Sequence, residues 1–160
     1  MKTRLISILR FGVRRMRTIR FIMGSPGRIR VGTGFIIGPR PAIAPGVIFQ
    51  AGNRVNIAAE FVSHVNLTIG DDVMISSRVA FVGNDHSFSD PNKTIQEQGR
   101  LPYSRAVLGG DNLIGFGTIV VGNVNIGRGT IVGAGSVVTN DLPEDSICVG
   151  VPATPIRKRR

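Results

Sequence analysis

Tryptophan is absent from this 160-residue chain, tyrosine and cysteine occur once each, and histidine occurs twice. Each scarcity excludes something. One cysteine, Cys148, rules out an internal disulfide framework, fits a reducing, cytoplasmic compartment, and reads as a small core residue. Aromatic residues make up only 6% of the chain, so Ile and Val rather than rings are expected to fill the interior. Acidic residues are missing from positions 1–30, where nine Arg or Lys stand. Long apolar runs are missing too: arginines break the N-terminal hydrophobic stretch too often for a bilayer span, and no unbroken core or small-residue cleavage site marks a secretory signal.

What is present is a period of six. Leu108, Ile114, Val120, Ile126, Val132 and Val138 are all branched aliphatics in one register. Glycine follows at Gly109, Gly115, Gly127 and Gly133, and small or β-branched residues fall four positions on at Thr118, Val124, Thr130 and Ser136. Neither a helix nor a continuous strand has this period. A chain that runs a short strand, turns a corner and repeats does have it, building a triangular prism with the aliphatic inside and little room for a Cβ at the corner. Upstream the same period gives Ile37, Ile43, Phe49, Val55, Phe61, Leu67, Val73 and Val79, a companion register through Ile57, Ile69, Ile75 and Phe81 that extends back through Pro45 and Pro39 to Thr33. Residues 33–86 therefore make about three coils and residues 108–143 about two. The spacing from Phe81 to Leu108 leaves, after one hexad, an excursion of 21 residues, placed at 87–107. Long loops in compact folds tend to be functional.

Three segments follow: a basic N-terminal helix and linker at 1–30, the repeat domain at 31–157, and a basic tail at 158–160. The net charge of +10 comes from the ends, since residues 31–156 hold seven bases against ten acids. Nucleic acid is the first partner that such a pI suggests, but the basic stretches lack interleaved aromatics and no helix-turn-helix or zinc spacing occurs, so none is expected. Leu5, Ile8, Leu9, Gly12, Val13, Met16, Ile19 and Met23 recur at helical spacing, with Arg10, Arg14 and Arg17 on the other face. Such a helix either caps the open end of the prism or lies, through residues 1–23, on an anionic membrane surface.

His86 ends the last hexad before the excursion, in Gly83-Asn84-Asp85-His86-Ser87-Phe88-Ser89-Asp90-Pro91. A histidine at a corner beside a projecting loop is a candidate general base, because imidazole titrates in the useful range. Asn84, Asp85 and Asp90 flank it; either aspartate orients the ring or holds an acceptor, and Asp90, preceding Pro91, also reads as a turn former. His64 lies within the repeat, at a position that faces outward.

Hexads of the form Ile-Gly-x-x-x-x interrupted after Asp85-His86, with Val132-Gly133-Ala134-Gly135-Ser136-Val137-Val138-Thr139 and then Gly150-Val151-Pro152-Ala153, resemble the hexapeptide-repeat acyltransferases, in the branch of sugar and polysaccharide O-acetyltransferases. The likeness covers roughly residues 33–157. It implies a left-handed parallel β-helix, against the usual right-handed crossover, and acetyl transfer from acetyl-CoA to a sugar or glycan hydroxyl in a cleft between subunits of a homotrimer, in cell-surface polysaccharide or lipopolysaccharide synthesis. It implies His86 as the base, and a CoA site at Gly115, Gly133, Ala134, Thr139, Arg157 and Lys158, with Arg159 and Arg160 reinforcing the charge. Phe116, where a small residue often follows Ile-Gly, and Thr154, where a base is common, depart from the pattern. For each glycine a corner that admits no Cβ is a competing explanation.

Two alternatives remain. A hexapeptide β-helix can be a non-catalytic scaffold, or an acyltransferase for a non-sugar acceptor, since fold does not fix function. The prism also carries zinc-dependent carbonic anhydrases, but two histidines and one cysteine do not readily supply that site, and no metal is expected.

Overall fold

In the computed structural model the hexads become short strands at the sides of a three-faced solenoid. The structure describes residues 2–24, 28–83 and 85–159, with side chains from residue 12 onward. One face stacks β1 (Ile29–Val31), β4 (Phe49–Ala51), β7 (Asn66–Ile69), β10 (Arg105–Leu108) and β13 (Val124–Ile126). A second stacks β2 (Ile36–Ile37), β5 (Asn56–Ile57), β8 (Met74–Ile75), β11 (Leu113–Ile114), β14 (Ile131–Val132) and β16 (Ser146–Gly150), closed by antiparallel β17 (Ala153–Lys158). The third face, called face C below, stacks β3 (Ala42–Ile43), β6 (Val62–Ser63), β9 (Ala80–Val82), β12 (Ile119–Val121) and β15 (Val137–Val138). Five full coils and the start of a sixth result, each strand parallel to the one a coil away and about 4.8 Å from it.

Two positions per hexad point inward, not one. Ile114, Val120, Ile126, Val132 and Val138 are buried, and so are Asn112, Thr118, Val124, Thr130 and Ser136, each two residues earlier. The small polar members survive burial because their side chains bond to corner carbonyls, as Thr118 Oγ1 does to Gly115 O at 2.9 Å. Gly115 meets the requirement expected of it: a Cβ there would stand 2.7 Å from Gly133 C and 2.8 Å from Ala134 Cα of the next coil. Elsewhere the corners place Arg40, Arg54, Glu60, Asp72 and Arg78 at positive φ. Their side chains stack coil on coil into ion pairs: Glu60 between Arg40 and Arg78, and Arg54 Nη2 on Asp72 Oδ2 at 2.7 Å.

Four sequence expectations need correction. The upstream register is not continuous: Ile37 pairs with Ile57 and Ala42 with Val62, a spacing of 20 residues, whereas Phe49 pairs with Leu67, a spacing of 18. A two-residue insertion therefore lies between Ile43 and Phe49. Thr33, Pro39 and Pro45 are exposed rather than inward, and the first coil starts at Ile29. Rings are not excluded from the interior: Phe35, Phe49, Phe61 and Phe81 are buried, and Phe49–Phe61 and Phe61–Phe81 have centroids 6.1 and 5.9 Å apart. Phe61 fits because its inward neighbour two residues on is Ser63. Next, the excursion runs from Gly83 to Ser104, because β10 already begins at Arg105; its size is as expected, Leu67 pairing with Ala106 at 39 residues, or 18 plus 21. Finally, the boundary of the basic tail shifts, since Lys158 ends β17 and Arg159 pairs with Asp111 at 2.8 Å.

The N-terminal helix α1 (Lys2–Met23) caps the first coil through residues off the described part of the anticipated stripe; the side chains of Leu5, Ile8 and Leu9 lie outside the described residues. Phe21 stacks on Phe35 at 6.1 Å and meets Phe49 edge-on at 5.6 Å, and Ile22 packs beside it on the core. Val13, Met16, Ile19 and Met23 are exposed. No helix of the described residues is long and apolar enough to cross a membrane.

Candidate active site

The excursion leaves the corner that follows face C. Strand pairing stacks His64, Val82, Val121 and Thr139 there, each one residue past the paired positions Ser63, Phe81, Val120 and Val138. The loop is a hairpin at its base. His86 bridges Arg100 antiparallel, Ser87 N donates to Gly99 O at 2.9 Å, and Leu101 N donates to Asp85 O at 2.8 Å. Two flanking backbone bonds thus hold the segment that carries His86 against the returning arm.

The His86 ring is half-buried, and its Nδ1 is buried without a hydrogen-bond partner among the described residues. Buried ring nitrogens are nearly always paired, and the described residues supply no partner for this one. Asn84 lies outside the described residues. Asp85 is exposed, and its backbone carbonyl serves the hairpin. Asp90 belongs to the tip: its carboxylate accepts Asn92 N at 3.0 Å and pairs with Lys93 at 3.6 Å, while Gln98 brackets its backbone N and O. Turn formation accounts for Asp90. His64, one coil below Val82, is exposed, as expected.

The anticipated cofactor residues divide between the two edges of face C. Gly115, Gly133 and Ala134 occupy the far corner, where Gly115 N donates to Val132 O at 2.8 Å. Stacking against the backbone of the next coil requires Gly115, whereas a Cβ on Gly133 would meet only the Val149 side chain, 2.7 Å from its Cγ1. Ala134 is exposed at one edge and Thr139 at the other, two coils above the root of the loop. Between them the outward side chains of face C are Val62, Ala80, Ile119 and Val137, an apolar strip. Phe116 projects from the far corner under the Arg78 guanidinium, 5.6 Å from ring centroid to Cζ. Arg157 and Lys158 are exposed on β17 at the end of the prism, away from the His86 hairpin. Among the described residues no cluster of three or more His, Cys, Asp or Glu could hold a metal.

One contact that positions the loop went unread in the sequence. Tyr103, on the returning arm, donates its hydroxyl to Pro45 O, at the corner enlarged by the two-residue insertion. Gly46 is at φ +89°, and a Cβ there would come 3.0 Å from the Tyr103 hydroxyl and 3.3 Å from its ring. The sequence signals were the only tyrosine, within the excursion, and a repeat of 20 in place of 18.

Similarity to known proteins bears on the fold and the family. No family profile matches the chain. WbbJ of Escherichia coli, named for O-acetyl transfer in lipopolysaccharide biosynthesis, is 36% identical over 96% of this chain and 84% of its own. The galactoside O-acetyltransferase of Escherichia coli is 30% identical over 76% of this chain, which spans 63% of that enzyme. A hexapeptide-repeat acetyltransferase of Vibrio cholerae, solved with acetyl-CoA, superposes with a TM-score of 0.75 at 27% identity, covering 82% of this chain and 71% of its own. An N-acyltransferase of Bacillus cereus, AntD, solved with an amino-sugar nucleotide and coenzyme A, superposes at 0.63 with 25% identity, over 91% and 89% of the two chains. The hexad prism and these relatives agree: the chain belongs to the hexapeptide-repeat O-acetyltransferases, a family of acetyl-CoA-dependent enzymes.

Proposed function

We propose that the chain transfers an acetyl group from acetyl-CoA to a hydroxyl of a sugar within a cell-surface glycan, with His86 as general base. The observation that carries this reading is the half-buried His86 ring on a hairpin beside the apolar strip of face C. The step balances simply. A ring nitrogen takes the proton of the sugar hydroxyl while that oxygen attacks the thioester carbonyl. The tetrahedral oxyanion is met by a backbone N–H at a coil corner. Collapse expels the CoA thiolate, which recovers the proton from the imidazolium. The pantetheine arm runs along the late coils, past Ala134 and Thr139, whose small or short side chains let it approach the backbone; Gly115 and Gly133 stand at the Ala134 corner. Arg157 and Lys158 supply positive charge for the CoA phosphates. Asp85, exposed beside His86, and its sequence neighbour Asn84 are the candidates for holding the acceptor.

A homotrimer completes the cleft in this reading. Phe88, Ile95 and Leu101 are exposed on the loop, and Met74, Leu113, Ile119 and Val121 on the prism. Packing three prisms about a three-fold axis covers such surface and brings a neighbour to the unpaired Nδ1 of His86. The enzyme works in the cytoplasm, where its donor is made. The relation to AntD, solved with an amino-sugar nucleotide, makes a sugar nucleotide the second acceptor class to test. The experiment is a thiol-release assay with acetyl-CoA and a panel of glycosides, glycan fragments and sugar nucleotides. Acceptor-dependent release with one class supports the reading, and acceptor-independent silence across the panel returns the chain to the scaffold reading.

A further inference from the structure

The helix that caps the first coil has a second face that the fold does not use. At about 100° per residue, Met16, Ile19 and Met23 fall within an arc of about 60°, and the direction midway between Phe21 and Ile22 lies about 140° from its centre. The docked side and the apolar stripe are therefore largely opposed, with Ile19 at the edge that borders a groove beside Gly34, Phe35 and Ile36 of the first coil. Met23 is 73% exposed, Met16 66% and Ile19 48%, values far from those of a packed face. Arg15 and Arg20 are exposed on either side of the stripe, Arg14 and Arg17 lie on the far side of the helix, and none of the four is in an ion pair among the described residues. The first 30 residues contain no acid to pair with them. Arg17 and Arg20 also border a cleft of about 510 Å³ between the helix and the first coil, floored by Phe21, Ile29, Pro41 and Ile43.

We propose that this face seats the enzyme on an anionic phospholipid surface, with the stripe entering the interface and the arginines meeting phosphates. An apolar stripe rimmed by cations on a helix too polar to span is the pattern of a helix lying in the interfacial plane. Charge selects the occupant. Two copies of this helix packed stripe to stripe would bring like-charged rims together, whereas an anionic bilayer neutralises them, each arginine contributing severalfold in partitioning. The opposed docked face fixes the orientation: the helix lies between the lipid and the first coil, and the His86 hairpin, leaving after the third, stands about 10 Å beyond the first coil along the prism axis, two coil spacings of about 4.8 Å. The inference does not depend on which acceptor the enzyme uses.

The test is flotation of the full-length protein with vesicles of phosphatidylcholine alone or of equal parts phosphatidylcholine and phosphatidylglycerol, at low and at high salt. Binding is expected to the anionic vesicles only and to weaken with salt. Arg15→Gln with Arg20→Gln should weaken it about thirtyfold, and Met16→Ser with Ile19→Ser at least tenfold. Neither pair should alter circular dichroism, oligomeric mass or transfer to a soluble acceptor. Absence of flotation, or equal flotation with neutral vesicles, overturns the proposal. So does a serine variant that lowers the oligomeric mass and leaves flotation unchanged, which would make the stripe an interface between copies. Loss of transfer activity in the unmodified protein would bear on the proposed function and not on this surface.

Discussion

Tyr103→Phe isolates a side-chain hydrogen bond that ties the returning arm of the histidine hairpin to the prism. The substitution keeps the ring in its place over Gly46 and removes only the hydrogen bond to Pro45 O. A neutral hydrogen bond contributes about 1 kcal/mol net, a factor of about five in the ratio of docked to undocked loop. Because the bond lies in an excursion whose one-turn helix Ile95–Gln98 buries no residue, its loss should fall on the loop and not on the core. kcat/KM is expected to drop by up to about fivefold, with the melting temperature changed by less than about 4 °C. Gly46→Ala should do more, since its Cβ displaces the ring and the residue is held at φ +89°. Steady-state kinetics by thiol release, with a thermal melt of each variant, provide the readout. Both variants should lose less in a His86→Ala background than alone, as expected of a positioning residue acting through the histidine. Unchanged kcat/KM in both variants, or a fall matched by global destabilisation, refutes the assignment.

Two further outcomes follow from the assembled solenoid. Hydrogen bonds from Arg78 and then Arg40 hold the Glu60 carboxyl below its ordinary range, and Arg54 does the same for Asp72. A carboxylate whose folded pKa is depressed stabilises the fold above its unfolded value and ceases to do so as pH falls through the folded one. Stability measured by urea titration should therefore decline below about pH 4, and Glu60→Gln should flatten that decline; an equally steep acid limb in the variant counts against the ladder. Light scattering should give a mass of about three chains, and a stable, active monomer would remove the intersubunit cleft.

Much of the fold was legible because a period of six admits few structures. Leu108 through Val138 named the core of the last coils, and the distance from Phe81 to Leu108 gave the size of the excursion. What escaped was anything that shifts phase without changing composition. The residues Ile37, Ile43 and Phe49 are large and six apart whether or not two residues are inserted, because either inward position of a hexad accepts a large side chain. The helix stripe misled for a related reason: periodicity finds an apolar face but not which way it turns, and Phe21 and Ile22, off the stripe, match the aromatic column that Phe35 and Phe49 present. At the site, His86 stood out in the sequence by its place before the excursion. The roles of Asp90 in the loop tip and of Tyr103 in anchoring it depend on contacts across 8 and 58 residues, which no local pattern carries.

The central claim is that the imidazole of His86 takes the acceptor's proton. Its most direct test is the rate of acetyl transfer by full-length His86→Ala with saturating acetyl-CoA and a competent acceptor, beside a melt and a mass measurement of the same sample. The account predicts a loss of roughly 10²–10⁴-fold in a protein that remains folded and of unchanged mass. Turnover near that of the unsubstituted enzyme would contradict it.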